Sequence, residues 1–151
     1  MEAPNVVARF RDGRVAKGYC LNFNAAKPTF YLIDAMDNGK TLEVRLADLK
    51  AVFFVKTFKG NPAFSAAREF IGGTPSGRRM RVVFADGEEI IGYSLTYHAE
   101  GLGFFLTPND PRTNNERIFV VNNAAARIEH VNMEKNPPST PIFYEMDGKT
   151  G

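Results

Sequence analysis

Apolar and polar residues alternate in short runs along most of this chain, and the runs form two parallel series. "VARF" (7–10) and "RVVF" (81–84) are rich in β-branched and aromatic residues, and each leads into an Asp-Gly pair, Asp12-Gly13 and Asp86-Gly87. Asp-Gly between apolar runs is a strong local signal for a tight hairpin. In the returning runs Val15, Tyr19, Leu21 and Phe23 share one parity, as do Ile91, Tyr93, Leu95 and Tyr97. A period of two places such side chains on one face of a strand, here read as the buried face. Gly18 and Gly92 interrupt these strands, where a glycine marks a bend or a close backbone approach. "TFYLIDA" and "GFFLTP" then supply a third strand, "TLEVRL" and "RIFVV" a fourth, and "AVFFVKTF" and "ARIEHV" a fifth.

The two series are related in detail. "FRDGRVAKGY" (10–19) returns as "FADGEEIIGY" (84–93), and an offset of 74 aligns Phe10 with Phe84, Gly18 with Gly92, Tyr19 with Tyr93 and Phe30 with Phe104. Further on the offset becomes 76, because the loop "TPNDPRTNNER" is two residues longer than its counterpart. Self-similarity at this length predicts two copies of one small domain. The expected strands are 6–11, 14–23 and 29–34 in the first copy and 80–85, 88–97 and 103–107 in the second. Five short antiparallel strands, with a hairpin first and a glycine-bent strand second, predict a small barrel. The expected fold is thus mainly all-β, with two tandem five-stranded barrels joined by a short helical linker. The boundaries are 1–58 for the first barrel, 59–77 for the linker, 78–132 for the second barrel and 133–151 for a Pro-containing tail.

The segments "FRDGRVAKGYCLNFNAAKPTFYLID" and "FADGEEIIGYSLTYHAEGLGFFLTP" resemble the first half of the Sm-like, or SH3-like, barrel family. The "F.DG....GY" signature, with "NNER.FVV" and "L.AVFFVK" after it, is also similar to an uncharacterised bacterial domain family that occurs in tandem. The first resemblance implies small barrels whose loops and edges bind partners. The second implies no activity. Sm-like proteins read RNA with an aromatic and an asparagine between the second and third strands, but Thr29 and Gly103 stand at the asparagine's place here.

Composition narrows the classes further. With 19 Lys plus Arg against 17 Asp plus Glu, the net charge of +2 does not announce a nucleic-acid partner. No apolar run reaches the roughly 20 residues needed to span a bilayer, and "MEAPNVVARF" lacks the layout of a secretory signal, so a cytoplasmic protein without a membrane partner is expected. Cys20 is the only cysteine, which excludes an internal disulfide, and it reads as a packing residue. Between the copies, "NPAFSAAREFIGG" has the start, spacing and stop of a short helix. In the tail, Ile142-Phe143-Tyr144 form an apolar patch suited to clip onto a barrel of the same chain, the alternative being a peptide that adds to a partner's sheet edge.

The search for chemistry yields little. "GGTPSGRR" has P-loop glycine spacing but Arg78-Arg79 where Lys-Ser/Thr belong. His98 and His130 have no nucleophile or partner assigned by the sequence, and "IDAMDNGK" is too poor in oxygen ligands for calcium. No metal, cofactor or catalytic residue is expected, and the chain is read as no enzyme. One polar group stands out: Arg78, Arg79 and Arg81 before the second barrel, with Arg112, Asn114, Asn115 and Arg117 on its longest loop. Arginine forks beside amides suit a phosphate or carboxylate. Cyclic-dinucleotide receptors of the PilZ type also use an arginine pair before a barrel, although their Asp/Asn-x-Ser-x-x-Gly stretch is absent. Asp12, Gly13, Gly18, Tyr19, Asp86, Gly87, Gly92 and Tyr93 are assigned structural roles in turns, bends and core. The expectation is a bacterial regulatory or scaffolding module that binds a protein or peptide. The alternative is a nucleotide- or RNA-phosphate binder using the arginines. Partner identity and oligomeric state are not legible.

Overall fold

The structure, a computed structural model, describes residues 4–20, 22–35, 39–58, 77–109 and 113–131. Ten strands follow one another: β1 (Asn5–Phe10), β2 (Val15–Tyr19), β3 (Thr29–Asp34), β4 (Thr41–Arg45), β5 (Leu49–Val55), β6 (Arg78–Phe84), β7 (Glu89–Ser94), β8 (Gly103–Pro108), β9 (Asn115–Val121) and β10 (Ala125–Val131). Short 3-10 turns at Leu46–Asp48 and Asn122–Ala124 lead into β5 and β10. The hairpin turns lie where Asp-Gly placed them. Gly13 (φ +97°) and Gly87 (φ +93°) occupy left-handed backbone that other residues rarely adopt, and their N–H groups donate to Phe10 O and Phe84 O.

The expected pair of separate five-stranded barrels is not what forms. All ten strands join one antiparallel sheet in the order β10-β6-β7-β8-β9-β5-β1-β2-β3-β4. The helix expected in the linker and the tail patch at Ile142-Phe143-Tyr144 lie outside the described residues. The reason for a single sheet is visible in β5. Every residue of "LKAVFFV" is buried, so this strand has no solvent face and cannot serve as the outer wall of a free-standing unit. Runs apolar on both faces belong to central strands. Here β1 covers one edge and β9 the other, with Ala51 opposite Val120, Val52 opposite Phe119 and Phe53 opposite Ile118.

Register shows how the core crosses this joint. Directly opposed residues share a face of the sheet. Val6 and Ala8 oppose Phe54 and Val52, while Phe30 opposes Val44, and these residues pack the first half. Across the joint Val52 and Phe54 continue into Phe119 and Arg117, whereas the second half packs Val120, Ile118, Phe104 and Leu106 on the other face. The two sets of core residues therefore lie on opposite faces of one sheet and meet at β5 and β9. Phe23 closes the seam: its ring centroid lies 5.1 Å from Phe30, 5.6 Å from Phe54, 5.9 Å from Phe105 and 5.1 Å from Phe119.

The expected buried parity holds at Ile91 and Tyr93 of β7 but not along β2. Gly18 lies on the core side, which turns Val15 (46% exposed) and Tyr19 (40% exposed) outward, and Leu95 at 77% is also exposed. The glycines are needed for close approach: a Cβ on Gly18 would stand 2.5 Å from Ile33 O, and one on Gly92 would stand 2.2 Å from Thr107 O. Tyr93 is buried, whereas Tyr19 packs edge-on against Phe58 at 5.4 Å.

Candidate functional site

The polar group singled out from sequence is distributed over the sheet. Arg78, Arg79 and Arg81 lie on β6, and Arg117 lies on β9, with β7 and β8 between them. Arg81 is held by Glu89 at 3.1 Å and Glu129 at 3.5 Å. Arg79 stands 6.0 Å from the Tyr93 ring. Arg117 lies over two rings at the joint, 4.3 Å from Phe54 and 4.6 Å from Phe105. Arg112 lies outside the described residues.

The asparagines face the first half of the sheet. Asn114 Oδ1 accepts the Thr57 N–H at 3.0 Å and Nδ2 donates to Thr57 O at 2.8 Å, while the Asn114 carbonyl accepts from Lys56. Asn115 opposes Val55, and its carbonyl accepts from Thr113 Oγ1. His98 and His130 serve separate places. His98 Nδ1 accepts the Glu100 N–H at 3.1 Å, and His130 packs on Tyr97 at 5.3 Å. Cys20 is buried, and burial pushes its thiol up from its ordinary value. Among the described residues no three His, Cys, Asp or Glu side chains gather as a metal site would require. Among the described residues no helix is long and apolar enough to cross a membrane.

Lys50 is the residue that sequence reasoning missed. It is 7% exposed, its Nζ lies 2.7 Å from Asp86 Oδ2, it also pairs with Glu88, and it sits 4.7 Å above the Phe84 ring. The Lys50 hydrogen bond, then the Glu88 backbone N–H, hold the Asp86 carboxyl below its ordinary value. A lysine inside the apolar run "LKAVFFV" was the signal available. Through it, β5 fills the cleft beside the hairpin of the second half.

The corresponding place in the first half is open. A groove of about 460 Å³ runs beside β4, lined by Phe10, Arg14, Ala16, Leu42, Val44 and Arg45 among others. Arg14 turns back here, onto the Phe10 ring at 4.5 Å and the Asp12 carboxylate at 2.8 Å. The Arg14 backbone N–H is the main cause of Asp12 being held below its ordinary value. Among the described residues β4 pairs only with β3 and β10 only with β6. Hydrogen-bond alternation fixes what the β4 edge offers. Asp34 N donates to Lys40 O at 2.7 Å and Leu46 N to Pro28 O at 2.8 Å, so Leu42 and Val44 bond to β3. Thr41, Glu43 and Arg45 therefore turn their N–H and C=O outward.

Among the described residues the outward edge of β4 has no further strand beside it, and the half-apolar groove lies next to it. No curated protein and no solved structure matches this chain. The model of one family matches residues 2–132, and the chain accordingly belongs to DUF6982, a family of unknown function.

Proposed function

We propose that this chain is a non-enzymatic scaffolding or regulatory module, built of two copies of one five-stranded unit, that holds a partner protein by adding a strand to β4. The observation that carries this reading is the inequality of two like places. In the second half, the strand after the 103–108 segment is covered by β5, with Lys50 in the adjoining cleft. In the first half, β4 follows the 29–34 segment in the same order but is an outer strand, and the groove beside it is open. Main-chain hydrogen bonds would supply the affinity and the groove residues the selectivity. A bacterial cytoplasmic setting belongs to the same reading.

The test is a photo-crosslinking residue in place of Tyr31, which is 49% exposed on the neighbouring strand β3. A protein adduct is expected in native cells, unchanged by added salt and abolished by Glu43→Pro, which removes an outward N–H of β4. Adducts indifferent to Glu43→Pro, or RNA adducts that weaken steeply with salt, would overturn the reading.

A further inference from the structure

The joint inside the chain is a template for one between chains. An offset of 76 carries β5 (Leu49–Val55) onto β10 (Ala125–Val131), and carries 117–121 of β9 onto β4 (Thr41–Arg45). Among the described residues the chain thus pairs one strand of each kind internally and has one of each kind at its two outer edges. We propose that β10 of one molecule pairs antiparallel with β4 of a second copy, in the register that joins β5 to β9. This deepens the strand-adding reading by naming the partner.

The offset sets the side chains of the two edges against one another. In the internal joint Val52 opposes Phe119 and Phe54 opposes Arg117. The offset turns these pairs into Ile128 opposite Glu43 and His130 opposite Thr41. One step further along the register, Lys50 and Val121 become Ala126 and Arg45, so the long cation changes strand while the cleft keeps one.

The aromatic seam is matched as well. Internally, the edge-to-face pair Phe23 and Phe54, 5.6 Å apart, packs on Phe105 and Phe119. Their counterparts Tyr97 and His130 form the same kind of pair, 5.3 Å apart and near 70°. The counterparts of Phe105 and Phe119 are Tyr31 and Glu43, both exposed. Tyr97 would then meet both Tyr31 and Glu43, and His130 would meet Tyr31. These four phenylalanines of the internal seam are replaced by residues that also tolerate water, as a joint that opens and closes requires.

Two features set its strength. Arg127 and Glu129, paired with each other at 2.6 Å, stand where Ala51 and Phe53 stand in the internal joint. They reduce the apolar surface buried and make the joint weaker than its template. Because the two edges differ, the contact is heterologous, and it closes a ring or extends a filament according to the rotation between neighbours.

The experiment is sedimentation velocity on the full chain over a concentration series, with variants that block one edge each. Glu43→Pro disables β4, and His130→Glu weakens β10 by removing the ring that would meet Tyr31 and setting a second carboxylate diagonally across from Glu43. Wild type should gain mass with concentration. Each variant alone should associate at least about tenfold more weakly, and their mixture should give a one-to-one dimer that grows no further, since each retains the edge the other lacks. If Glu43→Pro melts early, Tyr31→Asp replaces it, because that side chain is exposed. Wild type that stays monomeric, a single variant that still self-associates, or a mixture that stays monomeric would overturn the proposal. A Glu43-dependent crosslink from position 31 to a different protein would sink the second-copy assignment and leave the strand-adding function standing.

Discussion

Lys50 Nζ, on the last strand of the first half, lies 2.7 Å from Asp86 Oδ2 in the first hairpin turn of the second. This pair links two segments that sequence alone keeps 36 residues apart. Its carboxylate is exposed and its ammonium is not, so breaking the pair strands no buried anion.

One consequence concerns acid. Asp86 is depressed in the folded chain, chiefly by Lys50, so its contribution is complete above the ordinary carboxylate value of about 3.9 and is lost as pH falls through the lower folded value. Lys50→Met, which keeps bulk and removes charge, should change stability at neutral pH by less than about 1 kcal/mol and should flatten the loss below about pH 4. Urea midpoints measured for both proteins from neutral pH to about pH 3 check this. Parallel acid limbs would contradict it.

The close approach at the second strands yields a sharper expectation. Gly92→Val would drive a Cβ into Thr107 O, where 2.2 Å is available, and Gly18→Val into Ile33 O at 2.5 Å. Backbone atoms cannot swing aside as a flexible side chain can, so each variant should lose about 1–3 kcal/mol or more. Unchanged denaturant midpoints would show that the strands part without cost.

Asn114 acts at the joint through its bonds to Thr57. Asn114→Ala should destabilise by about 1 kcal/mol, and amide exchange should quicken at Thr57 and Lys56 before it does in β6. A uniform rise in exchange would instead place the loss in the global unfolding equilibrium.

The arginines are separable by the same logic. Arg78 is exposed, so Arg78→Ala should shift stability by no more than about half a kcal/mol. Arg117→Ala removes an exposed cation from over Phe54 and Phe105 and should cost about 0.5–1 kcal/mol. Calorimetric titration with cyclic dinucleotides, nucleoside triphosphates and short RNA at low salt should give no heat. Salt-sensitive heat lost in both variants would revive a phosphate site.

Cys20 is 1% exposed and its thiol is raised by burial, which disfavours the thiolate that reacts. Alkylation at neutral pH should be slow in the native chain and fast in denaturant. Prompt native labelling would mean that the 20–24 region opens readily.

What the sequence determined by itself was local. Asp12-Gly13 and Asp86-Gly87 fixed two hairpin turns, because left-handed backbone at the second position is available to glycine at little cost. Period-two alternation located the strands, and the offset repeat ordered them. Which face of β2 is buried was misread at Tyr19, since alternation names two faces without saying which one meets a core. The pairing of β5 with β9 was decided only in three dimensions. "LKAVFFV" carried the hint, for a strand apolar on both faces needs cover on both, but no local rule says which distant strand supplies it. The same holds for the polar residues. Asn114, Asn115 and Arg117 read as a ligand loop because amides and a guanidinium bind anions and backbone alike, and their contacts with Val55, Thr57 and Phe54 become visible only in three dimensions. Hairpin geometry is set by a few adjacent torsions, whereas the joint depends on contacts roughly sixty residues apart in the chain, and tertiary packing alone selects among those.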